Sequence, residues 1–248
     1  MTAKSHGQRP RIPLRAQALA ALATVYDPEL DEPITTLGFV DACDVSADGD
    51  VAVRLRLPTP QCAPNFAFLM AADARDALRR GVPAAQAISV VLRDHYTGEE
   101  INAAVGRGGG FEDAFPGESD GPADLEALRE LFQRKALLAR QGRVAQALLA
   151  AGTAPEQVVA ARVGDLPDTP DAHRCVQLRR ELGLSCDADA PALVAGEDGA
   201  PIPPEQLSPW LRRARLVSLS LESNGGICRS LLQVRYGVED PTEEGVAA

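Results

Sequence analysis

The sequence predicts an α+β protein, in which a compact α-β-β-α-β domain precedes a mainly helical C-terminal domain with one or two strands. Two alternating segments, FVDACDV and VAVRLRL, lie on either side of an Asp48-Gly49 dipeptide, a pattern typical of a β-hairpin. Apolar residues then recur at helical spacing through residues 64–80. Beyond a glycine-rich stretch at 106–110, most segments show helical periodicity.

The N-terminal elements follow one another without long gaps. Residues 13–25 predict a short helix, and the acid- and proline-rich segment 27–33 predicts a loop. The second strand of the hairpin alternates, so we expect one buried face formed by Val51, Val53, Leu55 and Leu57. Residues 87–94 predict a third strand after the second helix. Cys62 therefore falls where the second strand leads into the second helix.

We divide the chain into a domain at residues 1–105, a Gly/Pro-rich linker at 106–123 and a helical domain at 124–248. Within the last part, residues 216–222 alternate and predict a strand. The Asn-Gly-Gly segment that follows permits left-handed backbone geometry. We therefore expect a turn into a final helix whose first turn holds Cys228.

Composition argues against several classes of function. The 248 residues carry a net charge of −10 and a hydrophobic content of 45%, which is typical of a globular protein. Such an acidic chain lacks the basic field that nucleic acids and anionic membranes attract, so we expect neither as a partner. We find no apolar run near the ~20 residues of a membrane span and no secretory signal, and expect a cytoplasmic protein. The five cysteines are scattered without a CxxC pair, which disfavours a disulfide framework and a preformed zinc site.

The segment LPTPQCAP, residues 57–64, surrounds one cysteine with three prolines. Pro64 suits the first turn of a helix, so Cys62 lies just ahead of a helix N-terminus with unpaired backbone N–H groups. The partial positive charge there favours a thiolate, the form that binds metal or attacks an electrophile. The prolines stiffen the chain on both sides and present the sulfur in one direction. The alternative is that Cys62 is a small apolar side chain packed beneath the helix.

Three motifs resemble, in order, the small iron–sulfur assembly domain of the SufT and PaaD type. They are DPEL at 27–30, TTLGFV at 35–40 and LRLPTPQCAP at 55–64, followed by a helix. In that family an Asp-Pro-Glu loop, an Asp-Leu-Gly-like turn and a Thr-Pro-x-Cys loop occur in one compact α+β unit. Carried over to this sequence, the resemblance implies a metal- or cluster-handling set made up of Cys62 and Thr59 in the cysteine loop, Asp27 and Glu29 in the acidic loop, and Thr36 in the turn. Gly38 corresponds to the glycine of that tight turn.

The chain departs from the family at one position of the turn motif. Thr36 stands where the family usually has an acid before Leu-Gly. If that acid helps to bind metal, the chemistry here is altered, which leaves room for a specialised adaptor. Residues 57–78 also resemble a variant of the family that accompanies bacterial diiron monooxygenases, which implies a dedicated maturation factor.

Other titratable residues have two interpretations each. The acidic loop supplies oxygen ligands for a metal, or its carboxylates are solvated and cap nearby amides; they are Asp27, Glu29, Asp31 and Glu32. Cys228, at a second predicted helix start, either shares a metal with Cys62 or is buried in a tight turn. His95, at the end of the third strand, reaches the Cys62 loop as a ligand or is structural.

We expect an accessory protein for iron–sulfur cluster or metal-centre assembly, and not an enzyme. In this interpretation Cys62 transiently holds iron or a cluster, and the helical region recognises a client metalloprotein, for example a diiron monooxygenase. One cysteine cannot fill a tetrahedral site, so the assembly machinery, the client or a second copy in a homodimer supplies the other ligands. Two alternatives stay open. One is a metal-free chaperone for an oxygenase, and the other is a thiol enzyme with Cys62 as nucleophile and His95 or Cys228 beside it.

Overall fold

The computed structural model describes residues 12–117, 122–196 and 199–237. Contacts between Cα atoms divide these residues into two compact units. The first unit comprises residues 12–27, 33–116 and 231–237, and the second comprises 28–32 and the described part of 117–230. Neither unit is therefore a single continuous segment of the chain.

The N-terminal half contains a three-stranded sheet and flanking helices. In chain order its elements are α1 (Leu14–Leu22), β1 (Tyr26–Asp27), β2 (Glu32–Pro33), β3 (Val40–Val45), β4 (Val51–Arg56), α2 (Pro64–Gly81), β5 (Ile88–Arg93), α3 (Gly98–Arg107) and α4 (Phe111–Ala114). The predicted order α-β-β-α-β corresponds to α1, β3, β4, α2 and β5. The two-residue strands β1 and β2 flank the acidic loop.

The sheet has the order β3-β4-β5. β3 and β4 form the predicted antiparallel hairpin, with Cys43 opposite Val53. β4 and β5 are parallel, because the chain crosses over through α2 before it returns to the sheet. Side chains of β4 alternate between buried and more exposed positions, as the sequence predicts. The buried face packs against α1 and α2, so the core of the first unit lies between the sheet and these helices.

The predicted linker at 106–123 contains helical residues. α3 extends to Arg107, and α4 occupies residues 111–114. The ring of Phe111 meets that of Phe68 edge to face, with 5.5 Å between their centroids. Residues of the linker up to 116 therefore pack with the first unit. The division at residues 105 and 123 itself stays a prediction.

The second unit is helical. Its elements are α5 (Pro122–Ala150), α6 (Pro155–Ala160), α7 (Pro170–Glu181) and α8 (Leu207–Tyr236). The last six residues of α8 belong to the first unit. Its core contains Val158, Leu193, Ile202 and Trp210. α5 and α8 approach closely at Gly142, where an added Cβ would lie 2.5 Å from that of Ala214. The α+β class with a mainly helical C-terminal region is confirmed.

The strand predicted at residues 216–222 is wrong, because this segment lies inside α8. The buried side of α8 follows a helical spacing through Trp210, Ala214, Ser218 and Leu221. Two of these four side chains are small or polar, so the buried stripe was weak in the sequence. The apparent alternation in 216–222 instead came from leucines on both the buried and the exposed side of the helix.

The turn predicted at residues 224–226 is wrong for a related reason. These residues also lie inside α8. A Cβ on Gly225 would lie 2.7 Å from a carboxylate oxygen of Glu32, so the glycine allows the acidic loop to approach the helix. Within the residues that the structure describes, no helix is both long and apolar enough to cross a membrane.

Candidate functional site: the Cys62 loop

The Cys62 loop and His95 meet because the strands that precede them are parallel. β4 ends at Arg56 and β5 at Arg93, and these two residues are partners in the parallel register. Segments that follow neighbouring parallel strands leave the sheet at the same edge. The backbone N–H of Tyr96 accordingly donates to the carbonyl of Pro60 over 3.1 Å.

Cys62 closes a tight turn that begins at Thr59. The backbone N–H of Cys62 lies 3.5 Å from the carbonyl oxygen of Thr59, and Pro60 supplies the fixed φ that favours such a turn. The Thr59 hydroxyl lies 3.6 Å from Cys62 Sγ, within the range of a hydrogen bond to sulfur. The structure thus brings two predicted site residues together, and Cys62 is half-buried.

The helix that follows the loop presents its positive end to this turn. α2 begins at Pro64, which has no N–H and suits the first helical position. The Asn65 side chain accepts from the N–H of Phe66 over 2.9 Å. The first turn carries no acidic side chain that would compete with a thiolate for the helix dipole. The predicted position of Cys62, two residues before an 18-residue helix, is confirmed.

His95 holds the backbone of the loop and leaves no ring nitrogen free. Its Nε2 lies 2.7 Å from the carbonyl oxygen of Cys62, so Nε2 carries the proton and donates. Nδ1 then accepts from the N–H of Thr97 at 3.3 Å. Burial lowers the pKa of His95, the bond to the Cys62 carbonyl raises it, and the charge of Arg235 lowers it further. His95 reaches the loop as predicted, but through the Cys62 backbone, with both ring nitrogens engaged.

The end of α8 contributes two site residues that the sequence did not reveal. One Arg235 nitrogen lies 3.4 Å from the carbonyl of Leu57, and another lies 3.1 Å from that of Asp94. The Tyr236 hydroxyl lies 3.4 Å from the Asp94 carboxylate. The Arg56 guanidinium lies over the Tyr236 ring, 5.2 Å from its centroid. No local pattern identifies these residues, because their partners are more than 100 positions away in the chain.

The turn motif lies beside the same network. Arg56 Nε donates to the carbonyl of Gly38 over 3.2 Å. Gly38 has a φ of +74°, a conformation that other residues rarely adopt. An added Cβ would also lie 3.1 Å from Leu232, so both the backbone conformation and the packing favour glycine. Thr36 is exposed in this turn. Its role in binding a cofactor stays a prediction.

The acidic loop is tied to arginines of the second unit. Asp31 is buried, and its carboxylate accepts from Arg140 at 2.7 Å and from Arg174 at 2.9 Å. Burial alone would lower the pKa of Arg140. The nearby carboxylates, of which Asp31 contributes most, instead hold that pKa above its usual value. Glu32 accepts from Arg229 at 2.6 Å. Both carboxylates are therefore engaged in ion pairs with arginines of the second unit.

The other two acidic candidates differ in position. Asp27 is buried at the end of β1, which packs against α2 in the first unit. Glu29 is half-buried and groups with the second unit. The roles of both as ligands stay predictions.

The helix start predicted for Cys228 is wrong. Cys228 lies in the interior of α8, two turns from its end, and is half-buried. The helix-dipole reason for a thiolate at this position therefore does not hold. Cys62 belongs to the first unit and Cys228 to the second, and a metal role for Cys228 stays a prediction without that support.

Two of the remaining cysteines are core residues. Cys43 and Cys175 are buried. Burial raises the pKa of Cys43, and it raises that of Cys175 to about 12. Cys186 is half-buried, and its Sγ lies 3.6 Å from the carbonyls of Val176 and Leu184. The buried thiols of Cys43 and Cys175 are therefore poor nucleophiles and poor metal ligands.

The Cys62 loop by itself offers few side chains that could bind a metal ion. Among the described residues, no three His, Cys, Asp or Glu side chains are grouped so that they could hold a metal ion. The Cys62 loop offers one sulfur and one hydroxyl. Iron and its clusters take four ligands, so any cargo held here needs ligands from elsewhere.

A comparison with protein families matches the segment that contains the Cys62 loop. Residues 15–90 match the family model described as "Iron-sulfur cluster assembly protein". The matched segment contains Cys62 and Thr59 but not His95 or Arg235, and it covers under a third of the chain. No curated protein and no solved structure matches. The match supports placing residues 15–90 in the iron–sulfur cluster assembly family, and it supports a role for the chain in iron–sulfur cluster assembly.

Proposed function

We propose that the protein is an accessory factor that uses Cys62 to hold iron or an iron–sulfur cluster briefly and to pass it to a client apoprotein. The observation that carries this proposal is the local environment of Cys62 in its loop. Cys62 is half-buried, its sulfur lies beside the Thr59 hydroxyl, and it precedes a helix without first-turn acids. The family match to the segment that contains this loop adds independent support.

Retention at Cys62 is labile in this proposal, because one thiolate leaves coordination positions to be filled. A client, a second copy of the chain or a partner of the assembly machinery provides the missing ligands. Release then requires only that a client offers more thiolates than the carrier does. No substrate is converted, so we regard the protein as a carrier and not as an enzyme, acting in the cytoplasm.

We assign client recognition to the helical second unit. Its helix α8 exposes Leu216 and Leu219, which are 69% and 48% accessible, beside the exposed Arg212 and Arg213. Large exposed apolar side chains with a charged border are typical of contact surfaces. We expect Leu216→Ser with Leu219→Ser to weaken client binding and to leave iron binding by Cys62 unchanged. Equal loss of both would contradict this division of labour.

The SufT and PaaD subtype, and a diiron monooxygenase as client, are finer parts of the same proposal. They rest on the motifs DPEL, TTLGFV and LRLPTPQCAP at residues 27–30, 35–40 and 55–64. Maturation of an apo-monooxygenase with and without this protein tests the client directly. We expect the yield of active diiron enzyme to fall when Cys62→Ala replaces the wild-type chain.

Anaerobic reconstitution with ferrous iron and sulfide tests the carrier function. Bound iron and acid-labile sulfide are measured for the wild type, Cys62→Ala, Cys228→Ala and Cys186→Ala. We expect Cys62→Ala to lose most of the bound iron. Cys186→Ala is the matched control, because Cys186 is also half-buried but lies outside the loop.

Each other outcome has a definite meaning. Loss of iron in Cys228→Ala as well would assign Cys228 to the same site. Iron binding that is unchanged in Cys62→Ala would refute the carrier function. If the wild type binds no iron, a metal-free chaperone for an oxygenase becomes the better account. Turnover of a disulfide that depends on Cys62 would instead indicate a thiol enzyme.

A further inference from the structure

We propose that Arg235, near the end of α8, is a positioning residue that fixes the Cys62 loop. The inference deepens the proposed function, and it rests on that function only in treating Cys62 as the functional residue. Arg235 lies far outside the family-matched segment 15–90. The last turns of α8 therefore contribute to this chain's site from outside the matched segment.

Arg235 connects the two segments that surround the loop. Its guanidinium reaches the carbonyl of Leu57, where β4 ends and the loop begins, and the carbonyl of Asp94, where β5 ends. A planar guanidinium has several N–H donors in a fixed arrangement, so one side chain can bridge two carbonyls. The bridge holds the two strand exits at a set separation.

Asp94 needs such support because its backbone is unfavourable. It has a φ of +54°, a left-handed conformation that non-glycine residues adopt at a cost. Its carbonyl accepts from Arg235, and its carboxylate lies 3.4 Å from the Tyr236 hydroxyl. Both contacts hold Asp94 in this conformation. The residue that follows is His95, whose ring donates to the carbonyl of Cys62 over 2.7 Å.

The path from Arg235 to Cys62 is therefore short and continuous. Arg235 fixes Asp94, Asp94 orients His95, and His95 holds the Cys62 carbonyl. The Nε2–H of His95 donates to that carbonyl, and burial and the charge of Arg235 lower the pKa of His95 while this bond raises it. Leu232 anchors the same part of α8, because it is 2% exposed and packs at Gly38.

The test compares Arg235→Ala, Arg235→Lys and the matched control Gln233→Ala, an exposed residue on the same helical turn. Amide hydrogen exchange is followed by mass spectrometry in the full chain without metal. We expect Arg235→Ala to speed exchange in residues 59–63 and 95–97 about fivefold, as expected when a hydrogen-bonded support is lost. Exchange in β3, β4 and α5 stays within about twofold of the wild type.

Alkylation by iodoacetamide, read separately for each cysteine, gives a second readout. At a pH where thiols are ionised, we expect Cys62 in Arg235→Ala to react about fivefold faster, because the loop opens more often. Buried Cys43 of the same unit stays unreactive and excludes global unfolding. Arg235→Lys keeps the charge but not the two-carbonyl bridge, so we expect it to behave like Arg235→Ala.

Three results would overturn the proposal. They are unchanged loop exchange in Arg235→Ala, equal acceleration at Cys62 and Cys43, and full restoration by Arg235→Lys. The last would show that charge alone acts on the loop. None of these readouts involves metal, so they are independent of whether the reconstitution experiment supports the carrier function.

Discussion

At the scale of single residues, Cys62 differs from Cys43 and Cys175 in what surrounds its sulfur. Cys43 and Cys175 are buried, and burial raises the pKa of each thiol. Cys62 instead has a hydroxyl neighbour and a helix N-terminus. The sequence predicted this position because prolines mark both the turn and the helix start. It also placed His95 near the loop, but it did not predict that the His95 ring holds the Cys62 carbonyl, because that contact depends on the parallel pairing of β4 with β5.

His95 makes the stability of the first unit depend on pH. Its pKa is lowered in the folded protein from the ordinary value of 6.5, mainly by burial. Below about pH 6.5 the unfolded chain therefore takes up a proton that the folded chain resists, so the free energy of unfolding falls as the pH falls. Above that pH both states are neutral at this residue, and the effect vanishes.

We expect His95→Gln to reduce this pH dependence, because glutamine does not titrate and keeps a donor for the Cys62 carbonyl. Urea denaturation followed by circular dichroism at pH 7.5 and 5.5 measures the difference. The wild type should lose more stability between the two pH values than the variant. The same loss in both proteins would contradict the assignment of the effect to His95.

Asp31 is the residue on which the acidic loop depends. It is 3% exposed and pairs with Arg140 and Arg174. Asp31→Asn keeps a residue that tolerates its φ of +50° but removes the charge. We expect a loss of about 3 kcal/mol in the free energy of unfolding, since both arginines lose their most deeply buried carboxylate partner. Asp48→Asn, in an exposed turn, should change stability by less than about 0.5 kcal/mol.

Denaturation by urea, followed by circular dichroism, measures both aspartate variants. A change in Asp31→Asn as small as that in Asp48→Asn would show that the ion pairs contribute nothing to stability. Retained iron binding in Asp31→Asn is also expected, because this carboxylate is engaged by arginines and is not a ligand.

At the scale of elements, α8 shows where sequence patterns fail. A helix is recognised from large apolar residues at 3.6-residue spacing. α8 buries Ala214, Ser218 and Gly225 on that spacing, while Leu216 and Leu219 are exposed. The small residues are required by close approach, since Gly142 of α5 and Glu32 of the acidic loop lie against this side. The signal was absent because packing partners, and not local preference, selected these residues.

The two glycines Gly142 and Gly226 form a matched pair for testing this packing. A Cβ at Gly142 would lie 2.5 Å from Ala214, whereas nothing lies within 4 Å of a Cβ at Gly226. We expect Gly142→Ala to destabilise the protein. Overpacking costs about 1–3 kcal/mol, and the higher helix propensity of alanine offsets about 1 kcal/mol of this cost. Gly226→Ala should stabilise by about 0.5–1 kcal/mol.

Thermal and urea unfolding of both alanine variants measure this difference. The expected result is a change of opposite sign in the two proteins. Equal stabilisation of both would contradict the close approach of α5 and α8.

At the scale of the whole molecule, the order of elements was predictable and the composition of the units was not. Alternation and turn residues were sufficient to identify α1, β3, β4, α2 and β5. The first unit, however, also contains residues 231–237, and the second contains residues 28–32. The grouping of these short segments with a unit distant in sequence depends on ion pairs and on single side chains such as Leu232. Such contacts leave no periodic pattern in the sequence. The Cys62 part of the site was therefore predictable, and its Arg235 part was not.

A chain that ends at residue 117 tests this organisation. It keeps every strand of the first unit but lacks Leu232, which is 2% exposed in the full chain, and the bonds of Arg235. We expect a loss of about 2 kcal/mol from the missing burial of Leu232 alone. Hydrogen exchange at α1, β3 and the Cys62 loop compares the fragment with the full chain. Equal protection in both would show that residues 231–237 do not stabilise this unit.

The central claim is that Cys62 itself holds the iron or cluster, and thiol protection resolved by residue tests it most directly. The protein is loaded anaerobically with iron and sulfide, treated with iodoacetamide, and digested so that each cysteine is measured by mass spectrometry. We predict that loading protects Cys62 from alkylation, that a chelator restores its reactivity, and that Cys186 is unaffected throughout. If Cys62 reacts at the same rate with and without bound iron, the claim is wrong.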